Sequence, residues 1–298
     1  MFQSPPRDAS LRVGPAGWSY DDWLGIVYPA GQGKSFDPLR FIADYFDTVE
    51  INSSFYAPPR PHTAAGWVRR VSHNPRFKFT AKAWQRLSHE RRDATAASLA
   101  ADCDVVRAAT APLAEAGKLG ALLIQFPWSF RCTGESLEYL VSLFKLLGDF
   151  PLALEVRHGS WDQEIVYTFL NENGVAFCNV DQPVIGQSLK PSARVTAPVG
   201  YFRLHGRNYR NWFAEDAGRD ARYDYLYSRE EIGQISRLVR KIRQEAQETY
   251  AITNNHFRGQ ALVNALEILE ELDARPPAVP PALAEAYPRL KSGAEGRC

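Results

Sequence analysis

The stretch Leu152-Ala-Leu-Glu-Val-Arg-His158 is apolar at its start and gains charged side chains towards its carboxyl end. Short apolar runs of this kind are typical of parallel strands that are covered on both faces. Seven other segments have the same character, so the sequence predicts eight strands, at residues 12–16, 48–52, 77–81, 121–126, 152–156, 175–180, 200–204 and 249–253.

Helical periodicity separates most of these strands. Apolar residues recur at the helical spacing in 38–46, 94–116, 137–147, 232–242 and 261–272. Strands that alternate with helices in one domain-sized chain predict an α/β fold, a single (β/α)8 barrel of the TIM type. We expect the barrel to span residues 11–274, between a flexible N-terminus at 1–10 and a proline-rich tail at 275–298.

The first strand-to-helix turn argues against the main competing fold, an open doubly wound sheet. Such sheets usually carry a G-x-G-x-x-G turn, and Gly14-Pro-Ala-Gly17 lacks that spacing. The link from strand six to strand seven contains Pro183, Pro191 and Pro198. Because proline interrupts helices, we expect an irregular loop there, which departs from the ideal barrel.

Composition excludes several classes of protein. The chain has 298 residues, of which 45% are hydrophobic, and a formal net charge of +1. A net charge this small gives the whole molecule no long-range electrostatic attraction to nucleic acid or to a membrane surface. Cys103, Cys132, Cys178 and Cys298 form no CxxC pair, which disfavours a zinc ribbon or disulfide framework and predicts a cytoplasmic location.

Two further features disfavour export or membrane insertion. The first ten residues hold two prolines and no apolar stretch, unlike a signal peptide. The longest apolar run, at 121–126, is far too short to cross a bilayer. We expect no membrane association.

Polar side chains follow each predicted strand at the point where it ends. In a parallel barrel these ends meet at one mouth, and catalytic groups in such folds lie there. The predicted substrate-binding set is Trp18, Tyr20, Asn52, Gln125, His158, Asp181, Arg203, Arg207, Asn254, Asn255, His256 and Arg258.

Side-chain alternation points several charged groups into the lumen. Glu50 shares a face with Asn52, Glu155 with Arg157, and Arg203 with His205. An unpaired buried charge is costly, so we predict that Glu155 pairs with Arg157 or Arg203, and Glu50 with Lys82. Such pairs could also be purely structural. The predicted catalytic set is Glu50, Lys82, Glu155, Arg157 and His205.

Several of these segments together resemble domain-of-unknown-function family 72, the YecE-like barrel family. They run from the first strand to the last helix and are 14–20, 49–56, 77–82, 125–127, 154–161, 201–206 and 254–260. The resemblance implies a TIM-type barrel and carries over no catalytic set, so the site residues rest on strand position and chemistry.

Basic stretches with aromatic side chains, at 82–92 and 203–212, favour an anionic substrate. Arginine presents a fork of donors that suits carboxylate or phosphate, and a helix amino terminus attracts anions. We expect phosphate, sulfate or a carboxylate to bind among Arg203, Arg207, Asn255 and Arg258.

The favoured function is an enzyme that uses acid/base and electrostatic catalysis on a small polar anionic substrate, without a cofactor. Glu50, Glu155 and His205 are the acid/base candidates, with Lys82, Arg157 and Arg203 as electrostatic stabilisers. The alternatives are a nucleic-acid-binding barrel, such as a nuclease, and a non-catalytic metabolite-binding protein. A metal is disfavoured, because the chain has no HExxH spacing and cationic residues are interleaved with the carboxylates. The oligomeric state stays open.

Overall fold

Eight parallel strands form one sheet in the computed structural model, which describes residues 10–33, 35–91, 95–210, 212, 222–273 and 277–291. The strands are β1 Leu11–Pro15, β2 Thr48–Ile51, β3 Lys78–Lys82, β4 Leu119–Gln125, β5 Leu152–Glu155, β6 Ala176–Asp181, β7 Val199–Leu204 and β8 Glu248–Thr253. Each strand pairs with its neighbour in sequence from β2 to β8, and β8 pairs with β1.

The barrel closes where β1 meets β2. Ala16 forms a parallel bridge with Glu50, and the Gly17 amide donates to the Glu50 carbonyl at 2.9 Å. Gly14 permits this approach, because a Cβ at that position would overlap the carbonyl oxygen of Thr48. The predicted (β/α)8 barrel is confirmed.

Helices cover the outside of the barrel. The described helices are α1 Pro38–Tyr45, α2 Pro61–Arg70, α3 Ala96–Glu115, α4 Gly134–Leu147, α5 Glu164–Glu172, α6 Arg229–Glu245, α7 Gln260–Leu272 and α8 Pro281–Ala286. The sequence did not predict α2 or α5. Both are short, and α2 buries only Ala64 and Trp67, so neither has a long apolar stripe.

The link between β6 and β7 contains no helix in residues 182–198, as predicted. Asn179 and Thr196 attach this segment to β6 instead. The Asn179 side chain donates to the Arg194 carbonyl at 2.9 Å and accepts from the Arg194 amide at 2.8 Å. The Thr196 hydroxyl accepts from the Phe177 amide at 2.8 Å. An extended segment therefore covers the barrel where a helix would lie.

A polar cluster occupies the lumen at the amino ends of the strands. Lys78 Nζ lies 2.7 Å from a Glu248 carboxylate oxygen, and Arg12 lies 3.4 Å from the same oxygen. The Tyr250 hydroxyl donates to Glu248 at 2.8 Å. This cluster fills the end of the barrel opposite the predicted mouth.

The described part of the proline-rich tail docks on the barrel. Leu283 of α8 is fully buried. Arg289 donates to a Glu267 carboxylate oxygen at 2.7 Å and to the Tyr227 carbonyl at 3.0 Å. The expected flexible N-terminus falls mostly on residues 1–9, which lie outside the described residues. Within the part of the chain that the structure describes, every helix is too short or too polar to span a bilayer.

Candidate functional site

Arg203 lies in the lumen between two carboxylates. It is 1% exposed. Its Nη2 is 2.5 Å from Glu50 Oε1 and its Nη1 is 2.5 Å from Glu155 Oε2. The second Glu50 oxygen accepts from the Tyr201 hydroxyl at 2.9 Å. The predicted Glu155–Arg203 pair is confirmed. Glu50 takes Arg203 in place of the predicted Lys82.

Arg157 and His205 form the next layer towards the mouth. Arg157 Nη2 lies 2.5 Å from Glu155 Oε1, and Nη1 donates to Gln182 at 2.6 Å. Burial would raise the pKa of Glu155, but the Arg157 and Arg203 guanidinium groups hold that pKa well below its usual value. Both predicted partners of Glu155 are therefore present at once.

The His205 ring is neutral. Burial, and then the charge of Arg157, lower the pKa of His205 to about 3. Its Nε2 lies 3.2 Å from Glu155 Oε1 and its Nδ1 lies 3.1 Å from the Asn254 amide nitrogen. Nε2 also lies 3.0 Å from Arg157 Nη2, so both ring nitrogens have protein partners. The ring thus joins β5, β7 and the end of β8.

Lys82 ends β3 above this network. Its carbonyl accepts from the Ser54 hydroxyl at 2.6 Å, and its Nζ lies 4.0 Å from the centre of the Phe55 ring. Among the described residues, no carboxylate oxygen lies within 4.0 Å of Nζ. Burial, and then the charge of Arg203, lower the pKa of Lys82 to about 7.

A cleft of three adjoining compartments opens over Lys82. The central compartment, about 200 Å³, is lined by Tyr20, Asn52, Phe55, Tyr56, Lys82, His89, Gln125, Tyr223, Asn254 and His256. The second, about 240 Å³, is lined by Gln125, Phe126, Pro127, Trp128, Arg157, Gln182, Ser188, Trp212, Arg222 and Tyr223. The third, about 290 Å³, is lined by Gly17, Trp18, Ser19, Tyr20, Asn52, Ser53 and Tyr56.

The walls of this cleft are cationic. Lys82, Arg157 and Arg222 line it, and its described lining residues include no aspartate or glutamate. Glu50 and Glu155 lie beneath it with no exposed surface. Aromatic rings border both ends, and Tyr20 stacks on His256 at 4.4 Å between ring centroids. The cleft therefore suits an anionic group beside a flat or apolar one.

Other predicted site residues lie away from the cleft. Asp181 accepts from Arg207 at 2.7 Å and from the Tyr227 hydroxyl at 2.7 Å, and Arg207 also contacts Glu231 at 3.0 Å. Because side chains alternate along a strand, Asp181 points towards α6, while Cys178 of the same strand points into the lumen and contacts Glu155 at 3.8 Å.

The predicted anion site does not assemble. Arg203 is enclosed by its two carboxylates, and Arg207 is held by Asp181. Asn255 is fully buried and donates to Tyr225 and Asn264, each at 2.8 Å. Arg258 is exposed at the start of α7, with its amide bound to Asp22 at 2.5 Å. These side chains already have protein partners or point elsewhere.

His158 and Trp18 have mixed positions. The His158 ring accepts from the Ser160 amide at 3.0 Å and packs 5.0 Å from the Trp128 ring, behind the second compartment. Trp18 lines the third compartment and packs on Trp67 at 5.5 Å.

Sequence reasoning left Gln182 and Tyr223 out of the site. Gln182 directly follows β6 and holds Arg157, so its position after a strand was a usable signal. Tyr223 comes from the loop before α6, far from any strand end, and no sequence signal marked it. The described residues contain no group of three His, Cys, Asp or Glu side chains that could hold a metal ion.

Comparison with known proteins agrees with this architecture. A family model described as "Protein of unknown function DUF72" matches residues 12–289. The chain belongs to the DUF72 family. The match runs from β1 into the docked tail and so includes every strand that carries the site.

Three relatives resemble this chain over most of its length. The UPF0759 protein YunF of Bacillus subtilis (strain 168) is 29% identical over 273 residues, 88% of this chain and 95% of the relative. A DUF72 family protein from Thermotoga maritima MSB8 is 34% identical with a TM-score of 0.76, covering 88% of this chain and 98% of its own. One from Enterococcus faecalis V583 is 32% identical with a TM-score of 0.77, covering 89% and 96%. The DUF72 barrel is thus shared over nearly full lengths.

Proposed function

We propose that this DUF72 protein is an enzyme that acts on a small polar anionic substrate in the cleft at the barrel mouth. The charge distribution carries the proposal: three cationic side chains line the cleft, and its described lining contains no carboxylate. An anion entering the cleft meets Lys82, Arg157 and Arg222, and no carboxylate among the described lining residues opposes it.

Lys82 is the acid/base group in this proposal. A group transfers protons best when its pKa lies near the working pH, and the pKa of Lys82 is about 7. Glu50 and Glu155 have no exposed surface and are bound to Arg203, and both His205 ring nitrogens are engaged. These three residues therefore position the site rather than touch substrate.

Arg157 is the electrostatic stabiliser. Its guanidinium is held between Glu155 and Gln182 and still lines the second compartment. Donors held in place by the protein need no reorganisation when charge develops on a substrate, which makes them effective in catalysis. The amides of Asn52, Gln125 and Asn254 add neutral hydrogen-bonding groups to the central compartment.

Anion titrations test the binding half of the proposal. Sulfate, phosphate or oxalate, compared with chloride at equal ionic strength, should raise the thermal midpoint of the wild type. At a ligand concentration of about 100 Kd the gain is about 2.7 kcal/mol. Lys82→Met should weaken the effect, while Lys145→Met, an exposed lysine of α4, should not. Equal shifts in all three proteins would contradict the site.

Turnover tests the catalytic half. The wild type should consume at least one component of a mixture of anionic metabolites followed by proton NMR, and Lys82→Met should not. An anion shift without any consumption would instead favour a metabolite-binding protein. Salt-dependent binding of single-stranded DNA that outcompetes small anions would favour the nucleic-acid-binding alternative.

A further inference from the structure

We propose that Lys82 is a nucleophile that forms an imine with a carbonyl group of the substrate. This inference rests on the proposed function and narrows the substrate class to carbonyl compounds that carry an anionic group, such as 2-oxo acids.

The first support is the freedom of the Lys82 amine. Its backbone is anchored through Ser54, and its Nζ lies over the Phe55 ring at 4.0 Å. Lys78, four residues earlier on the same face of β3, has its Nζ bound to both Glu248 oxygens at 2.7 and 2.9 Å. Among the described residues Lys82 has no such carboxylate. An amine without an ion pair can give up its proton and expose its lone pair.

The second support is space beside that amine. The central compartment measures about 200 Å³, room for about six or seven water molecules at about 30 Å³ each. A molecule of similar size could place its carbonyl at Lys82 and its anionic group towards Arg157 and Arg222 in the adjoining compartment. Gln125 lines both compartments.

Gln125 is oriented to donate a hydrogen bond to the carbonyl oxygen of the substrate. Its Oε1 accepts from Arg203 Nη1 at 3.4 Å, which leaves the amide NH2 to donate into the cleft. A donor held at this point stabilises the negative charge that develops on a carbonyl oxygen under attack.

The surroundings of Lys82 keep a fraction of its amine groups unprotonated at physiological pH. Burial and Arg203 lower the pKa of Lys82 to about 7, against about 10.4 for an ordinary lysine. The neutral fraction at pH 7 is therefore about a thousandfold larger than on an exposed lysine. Nucleophilic lysines are commonly activated in this way.

The chemical step needs no oxidant or reductant. The Nζ lone pair forms a bond to the carbonyl carbon, and the C=O π electrons move to oxygen. A proton passes from nitrogen to that oxygen through solvent, which gives a carbinolamine. Protonation of the hydroxyl and its loss as water leave a protonated imine, and addition of water reverses the sequence. The protonated imine withdraws electrons from neighbouring bonds, which is the catalytic value of such an intermediate.

Reductive trapping tests the inference on the full chain. Pyruvate or glyoxylate is added with borohydride, and peptide mapping by mass spectrometry locates the reduced adduct. We expect one dominant adduct, on Lys82, in the wild type and in Lys145→Met. We expect none at this position in Lys82→Arg or Lys82→Met, whose folding is checked by circular dichroism. Trapping should rise with pH through about 7, and acetone should label Lys82 at least tenfold more slowly than pyruvate.

Three outcomes would overturn the inference. Adducts spread evenly over surface lysines would remove any special reactivity of Lys82. The absence of an adduct while oxalate still raises the thermal midpoint through Lys82 would refute imine chemistry and leave the proposed anionic site intact. Loss of both effects would refute the proposed function itself.

Discussion

Replacing Arg203 with methionine should leave two carboxylates facing each other in the barrel lumen. In the wild type Arg203 makes a 2.5 Å ion pair with Glu50 and another with Glu155. After the substitution Glu155 keeps Arg157, but Glu50 keeps only the Tyr201 hydroxyl. The variant therefore tests whether this network is a main element of the barrel's stability.

The size of the stability loss follows from the number of buried charges that are left without a partner. Removing one member of a buried pair costs about 3–5 kcal/mol. Since Arg203 serves two carboxylates with no exposed surface, we expect a loss near the upper end, about 5 kcal/mol. The free energy of unfolding of a typical protein is about 5–15 kcal/mol, so the variant should be only marginally stable at neutral pH.

The stability loss of Arg203→Met should be smaller at acidic pH than at neutral pH. Arg157 and Arg203 hold the pKa of Glu155 well below its usual value, so in the wild type this group adds stability above about pH 4.5 that is lost as pH falls. In Arg203→Met the pKa of Glu155 should rise, because its environment stays buried and loses a positive charge. The difference in free energy of unfolding between the wild type and Arg203→Met should then become smaller as pH falls towards about 4.

Urea unfolding at about pH 7 and pH 4 measures the stability loss of Arg203→Met and the dependence of that loss on pH. Arg203→Met/Glu50→Gln, which removes one of the two opposed charges, should recover part of the loss and provides a measurable protein if the single variant does not fold. A loss below about 1 kcal/mol at pH 7, or a double variant no more stable than the single one, would refute the reasoning.

Two further predictions concern the strand ends. Arg258 has a left-handed φ of 49°, so Arg258→Gly should be more stable than Arg258→Val by about 1–2 kcal/mol in thermal unfolding; equal midpoints would show that this backbone carries no strain. The pKa of His205 is lowered to about 3, so its ring proton NMR signals should stay flat from about pH 5 to pH 8, and a titration step near the ordinary histidine pKa of about 6.5 would contradict the assigned neutral ring.

Much of the site's position could be predicted from the sequence, because strand periodicity is a local property. Alternation along β5 and β7 placed Glu155, Arg157, Arg203 and His205 in the lumen, and the structure confirms that they meet there. The absence of a helix between β6 and β7 also followed from local proline content. Asp181 shows where this reasoning stops, because local periodicity did not reveal that its side chain faces α6 instead of the cleft.

The sequence by itself determined the barrel and the polar character of its mouth, since the spacing of apolar residues sets which segments become strands and which side chains point inward. Only the tertiary structure decided which charges neutralise one another. Glu50 meets Arg203 across the lumen, a pairing between strands far apart in the chain, and this leaves Lys82 without a carboxylate partner among the described residues. Burial and charge act through space, so the pKa of Lys82 and the cationic lining of the cleft arise only once the barrel has closed.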